Sequence, residues 1–269
     1  MLALVVPTLL LGLAIAAPWL PIANPNGKEL LNKLLPPAGL QGGSWRYLLG
    51  TDYQGRDILS RVVYGGRVSF AISLLAMVLA GLVGIPLGLL SGYYQGLNQV
   101  VMRLADIQLS FPSTFLAIAL VAGLGPSIGN LIIVLALTGW VEYARVVRSQ
   151  VLSLKEQELV DAARALGASE PRVLVRHILP QTLTPIIVLA TIQSARFMLQ
   201  EAGLSFLGLG VPPQHPSWGG MLNEAQKSIF ETWLPAVFPG LALSGTVLSL
   251  NLFGDWLAEM LDPRVRKQL

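Results

Sequence analysis

DAARALGASEPRVLVRHILP, residues 161–180, is a polar, alanine-rich stretch set between two long apolar runs. It carries Arg164, Arg172, Arg176 and His177 beside the acids Asp161 and Glu170. With the preceding LKEQELV it reads as a short helix, because Leu159, Ala162, Ala163 and Leu166 recur at helical spacing and form one apolar stripe. A stripe built partly of alanine is low in relief, so a large neighbour can approach its backbone closely. Gly167 suits the left-handed residue of a C-terminal cap. Ser169 suits an N-cap and Pro171 the first turn of a second helix, about 170–179, that ends at Pro180. The segment is then helix, tight turn, helix and membrane, a knob fixed rigidly to a span. Two uses are open to such a knob. It can lie on the lipid surface with its arginines toward headgroups, or it can dock a cytoplasmic partner. A lipid-surface helix usually offers Trp, Phe or Leu, so the small residues favour docking.

The rest of the chain is mostly hydrocarbon. Of its 269 residues 53% are hydrophobic and only 12% charged, against roughly 25% charged in a soluble domain. Apolar runs lie at 1–20, about 68–91, 105–124, 128–147, 181–200 and 234–257, each near the length that crosses about 30 Å of hydrocarbon. Six spans are expected, all helical. The 27 Gly and 18 Pro fit spans better than soluble helices. The sequence has no Cys, which excludes disulfides and thiolate metal sites. Lys and Arg in alternate loops number ten, from Arg103 through the 161–180 stretch to Arg264, Arg266 and Lys267, against seven in the other set. The positive-inside rule therefore places both termini and the knob in the cytoplasm. The division read from this is a first span at 1–20, an extracytoplasmic segment and elbow at 21–67, and a membrane core at 68–258 with a cytoplasmic loop at 148–180 and an outer-face segment at 201–233. A cytoplasmic tail at 259–269 completes it.

Polar residues near or within spans are functional candidates because they are costly there. Gln193, Arg196 and Glu201 fall in the outer half of the fifth span. They are read as a translocation path able to use both charge signs, with a structural ion pair or snorkelling as the plainer alternative. Asp106, near the start of the third span, has the same two readings. Asp52, Arg56, Asp57 and Arg61 lie in GTDYQGRDILSR, where Asp57 and Arg61 stand at i and i+4 and can pair. That cluster reads as a brace for an elbow or as a dock for a binding protein. EAGLSFLGLGVPPQHPSWGGM, from Glu201, is too broken for a span and is expected to be re-entrant or surface-lying. No phosphate-binding G-x-x-x-x-G-K-[ST] occurs, and neither H-E-x-x-H nor G-x-S-x-G, so the chain offers no ATP cradle and no hydrolase nucleophile or zinc pair.

The 161–180 stretch resembles the EAA loop of permease subunits of ABC importers, whose pattern is Glu-Ala-Ala, three residues, Gly, nine residues, Ile, one residue, Leu-Pro. Asp161-Ala162-Ala163, Gly167 and Leu179-Pro180 stand at that spacing. Asp161 replaces Glu, and His177 stands at the Ile position beside Ile178. LGTDYQGRDILSRVVYGGRVS (49–69), MRLADIQLSFPS (102–113), EAGLSFLGLGVPPQHPSWGGML (201–222), and FPGLAL with NLFGD and LDPR look like the dipeptide, oligopeptide and nickel branch, its second or "C" permease. The resemblance implies an all-α integral membrane protein with the type I importer permease fold. It also implies a second homologous permease, two cytoplasmic ATPase subunits that bind ATP and Mg, and an extracytoplasmic substrate-binding protein. No cofactor is implied in this chain, nor any enzymatic role. In that family the loop is a coupling helix seated in an ATPase groove. Ala162, Ala163 and Gly167 then serve close packing, Asp161 and Arg164 polar contact, and Leu179-Pro180 the link to the next span. Di- or oligopeptides are the substrates implied, with nickel chelates or other small solutes as the alternative. A stand-alone secondary transporter is a third reading, which would need ion-coupling residues and repeat symmetry.

Overall fold

The computed structural model describes residues 5–261, so the tail residues Arg264, Arg266 and Lys267 lie outside the described part. An apolar helix α1 (Val5–Ala16) continues through one 3-10 turn to Trp19. Chain that is irregular apart from one 3-10 turn, Leu30–Asn32, follows to Asp57, whose carboxylate accepts from the Ser60 amide at 3.0 Å and so caps α2 (Ile58–Tyr93). Next come α3 (Gln95–Leu109), α4 (Ser113–Leu124) and α5 (Ile128–Leu154), the last capped by the Ser127 hydroxyl. The knob holds α6 (Glu158–Ala165) and α7 (Glu170–Val173). A π-helical stretch, Leu174–Ile178, leads into α8 (Leu179–Phe206). Beyond it lie α9 (Trp218–Ala225), capped by Ser217, and α10 (Leu234–Leu261).

Among the described residues, four helical stretches are long and apolar enough to cross a membrane: Ile58–Tyr93, Ile128–Leu154, Glu170–Phe206 and Leu234–Leu261. Six were expected, and the first of them, at 1–20, falls partly outside the described residues. The run at 105–124 is broken, since α3 and α4 meet at 87° and count at most as one bent span. The break falls at Ser110–Pro112. Pro112 has no amide proton to continue α3 and starts α4 instead. The described part of the N-terminal run forms an apolar helix, Val5–Trp19. The second expected knob helix does not end at Pro180, because the chain stays helical from Glu170 to Phe206. Pro180 cannot donate to the preceding turn. The π-helical stretch accommodates it, with the Leu179 amide donating five residues back to the Leu174 carbonyl. The His177 carbonyl is taken by the Gln181 side-chain amide at 2.9 Å. The outer-face segment is also shorter than expected, because Glu201–Phe206 belong to α8.

The bundle is organised around α2 and α5. Gly84, Gly88 and Gly92 repeat every four residues and bring one face of α2 against α5. A Cβ on Gly84 would lie 2.3 Å from the Trp140 carbonyl oxygen, one on Gly88 2.6 Å from that of Ala144, and one on Gly92 2.6 Å from the Val151 Cβ. Three apolar clusters stack along the molecule. One joins α2, α4, α5 and α8 through Ile72, Val121, Leu135 and Phe197. A second joins α2, α8, α9 and α10 through Phe70, Met198, Trp218 and Leu243. The third lies under the knob, where Val160, Val173 and Ile178 meet Val147 and Val151 of α5.

Candidate functional site

Val160 turns inward onto the third cluster and Ala163, three residues on along α6, is buried, while Leu159, Ala162 and Leu166 face out. Leu166 is 89% exposed. The apolar stripe expected from spacing is therefore split. Ala163 packs within its own chain rather than offering itself to a partner. α6 ends in a two-bond turn: the Gly167 amide donates to the Arg164 carbonyl at 2.9 Å and the Ala168 amide to the Ala163 carbonyl at 3.0 Å. Gly167 takes φ +83°, where a Cβ is strained, and the space around it is open. Ser169 has the extended backbone of an N-cap but makes no side-chain cap bond. Arg164 reaches Asp161 at 3.3 Å, donates to the Tyr93 hydroxyl at 3.0 Å and lies over the Tyr93 ring. It thus ties the knob to the last turn of α2. Leu179 and Pro180 sit in the first turn of α8, away from the exposed stripe. The knob is a small rigid body with an unpartnered apolar top, carried on one end of a long helix.

Gln193, Arg196 and Glu201 do not converge. Glu201 is sealed between α2 and α8, 0% exposed, its carboxylate accepting from Ser69 at 3.0 Å and Ser205 at 2.7 Å. The Ser69 hydroxyl also accepts from the Trp218 amide at 3.3 Å. This knot locks α9 to the bundle and is closed to a passing solute. Five residues from Arg196, Glu201 faces another side of α8. Gln193 is buried, and neither atom of its amide has a hydrogen-bond partner among the described residues. Arg196 pairs with Glu142 of α5 and donates to Ser113 at 3.4 Å. Glu142 was not visible as a partner in the sequence, being 54 residues away. Asp106 is likewise paired, accepting from Arg145 at 2.5 Å.

At the other end of the bundle from the knob, Asp57 does not pair with Arg61. It is occupied as the α2 cap. Arg56 and Arg61 instead both hold Glu224 of α9 at 2.6 Å, and Arg56 also holds Asp52 at 2.6 Å. Both arginine side chains are at most 4% exposed. Beside them lie cavities of about 220 Å³, reaching His215 and Gln214, and about 510 Å³, reaching Lys28, Tyr53 and Lys227. In the segment before α2, the Tyr47 hydroxyl donates to Glu29 at 2.7 Å. That bond leads in holding the Glu29 carboxyl below its usual value, with Asn32 and Arg46 adding and partial burial opposing. Burial, then the bond to Glu29, pushes the Tyr47 hydroxyl up.

Residues 84–267 match the family of binding-protein-dependent transport system inner membrane components. The chain is 41% identical over 254 residues to the di/tripeptide transport system permease protein of Pseudomonas aeruginosa strain UCBPP-PA14, covering 94% of this chain and 84% of that protein. It is 42% identical over 226 residues to the glutathione transport system permease protein of Escherichia coli O6:K15:H31, covering 84% and 75%. Among solved structures, the MetNI methionine ABC transporter in an inward-facing conformation superposes with TM-score 0.64 at 18% identity, over 76% of this chain and 98% of that one, a likeness of fold. With a family model covering most of its length and relatives at this identity, the chain belongs to the binding-protein-dependent transport system inner membrane components, multi-pass permeases of the type I ABC importer fold.

Proposed function

We propose that this chain is one of two homologous permeases in an ATP-driven importer that carries di- or oligopeptides across the cell inner membrane. A binding protein delivers the peptide to the end that bears the Arg56–Glu224–Arg61 cluster. Two ATPase subunits, which hold ATP and Mg, seat the knob from the cytoplasm. The observation that carries this reading is the exposed Leu159–Ala162–Leu166 face of α6, which the tight Gly167 turn joins to a helix running from Glu170 through α8. Movement of the knob then becomes movement of a spanning helix, and ATP-dependent contacts on the knob bias the two access states. The peptide substrate is supported by relatives named for di/tripeptide and glutathione transport.

The test is Leu166→Arg in the reconstituted importer. Leu166 touches little of its own chain, so the variant should unfold within about 0.5 kcal/mol of wild type. Charge on a hydrophobic docking face should cost about 2 kcal/mol or more of the contact and cut ATP-dependent peptide uptake at least about tenfold. Uptake equal to wild type would remove the knob from the coupling path.

A further inference from the structure

Glu142 and Arg196 form an ion pair whose side chains are 31% and 43% exposed. Glu142 lies near the middle of α5, about 18–21 Å from either end at 1.5 Å per residue. A half-open ion pair at that depth does not face hydrocarbon. The α3–α4 break faces the same region. Ser113, the first residue of α4, accepts from Arg196 at 3.4 Å and from Gln200 at 3.3 Å. Phe111 and Pro112 of the break are exposed. Non-helical backbone at membrane depth survives only where protein covers it or it lines a wet cavity. One turn along α5 toward the knob, Arg145 pairs with Asp106, and both remain exposed. One face of the bundle therefore carries matched charges, hydroxyl and amide groups beside a broken helix, while other faces of the spans present Leu, Ile and Val.

We infer that this face lines the translocation path and that Arg196 and Glu142 receive the two ends of a zwitterionic peptide backbone. The guanidinium takes the carboxylate, the Glu142 carboxylate takes the ammonium, and their own pair opens as they do so. A path for a solute of one sign would display the opposite sign alone. A balanced pair suits a solute that carries both, whatever its side chains. Gln200, half-buried, extends the same stripe of α8 one turn on from Arg196, whereas Gln193 is buried away from it. Glu142 thus takes the acidic role that the sequence assigned to Glu201. This site rests on the peptide-importer reading above and names where that importer meets its cargo.

The test uses the complete importer in proteoliposomes, with its binding protein and alanyl-alanine as the probe. Arg196→Gln and Glu142→Gln should each lower peptide delivered per ATP hydrolysed about tenfold, the loss of one charged contact, and Arg196→Lys should recover part of it. Because the chain has no cysteine, Ser113→Cys reports directly on the face. A charged, membrane-impermeant thiosulfonate should modify it in the nucleotide-free or the ATP-bound state, and peptide with binding protein should protect it. An unreactive Ser113→Cys in both states would mean that the second permease or lipid covers the face, and would overturn the inference. An unchanged peptide-to-ATP ratio in both Gln variants would overturn it too. A wild-type importer that carries no peptide would defeat the peptide reading and this site together, whereas failure confined to the variants defeats the site alone.

Discussion

Glu224 is the residue on which the end away from the knob depends. Two arginines on the 56–61 turn meet it from 163 and 168 residues away. Local spacing suggested instead that Asp57 answers Arg61, because i,i+4 pairs are what a sequence displays. The tertiary partner wins because Asp57 is needed to cap α2, and a cap cannot also reach forward to Arg61. Glu142 escaped notice for the same reason, and Glu201 was over-read because a carboxylate near a span end looks alike whether serines enclose it or water reaches it. Removing one partner of a buried pair leaves an uncompensated charge, so Glu224→Gln should cost about 3–5 kcal/mol. Chemical unfolding in detergent measures it, and a loss under about 1 kcal/mol would mean that Asp52 alone satisfies both arginines. Glu29 yields a pH dependence. Its folded carboxyl lies below the usual value of 4.5, so its contribution is fully present above that value and is lost as pH falls through the lower, folded one. Protection of residues 29–47 against hydrogen exchange, referred to the intrinsic amide rate at each pH, should stay flat from neutral pH down to about 5 and fall at more acid pH. Glu29→Gln should abolish that step, and an unchanged step would assign it elsewhere.

Helices were legible where their stops are chemical and obscure where they are geometric. Gly167 announced the end of α6, and the two-bond turn is there. Pro180 announced an end that does not occur, because a π-helical stretch absorbs a proline without stopping the helix. At the one-residue departure, Ile178 is the buried residue, while the His177 carbonyl is occupied by Gln181. The α3–α4 break was hidden because hydropathy averages across Ser110–Pro112, although Ser110 and the Pro112-Ser113 pair were its signal. The glycine repeat on α2 was equally readable as a four-residue spacing, and it sets the close approach of α2 to α5. Gly88→Leu should therefore separate α2 from α5 and cost about 1–3 kcal/mol or more by overpacking. Gly96→Leu on α3, where a Cβ meets nothing within 4 Å, should cost no more than an ordinary surface change. Thermal unfolding of the two variants side by side checks this, and equal midpoints would mean that α5 yields.

The whole molecule has two distinct ends, joined by α2. Its first turn sits in the charge cluster with Asp52 and Glu224, and its last turn receives Lys155 at Gly92 and Arg164 at Tyr93. At about 54 Å long, α2 exceeds the roughly 30 Å of hydrocarbon, so both ends stand clear of the core. Asn26 donating to the Gln214 carbonyl brings the segment before α2 together with the loop before α9, as alternating loops require. The sequence rule oriented this body by only ten basic residues against seven, and three of the ten lie beyond the described residues. The knob supplies a second, mechanical argument, because an apolar docking face on a lever needs its driver on the same side of the membrane. If that driver consumes ATP, the side is the cytoplasm. Two single cysteines in this cysteine-free chain decide it: Glu156→Cys beside the knob and Gln41→Cys before α2, both exposed positions. An impermeant thiol reagent should modify Gln41→Cys in right-side-out vesicles and Glu156→Cys only in inverted ones. The reverse pattern would place the knob outside, where no ATPase could reach it, and the coupling mechanism would fall with the orientation.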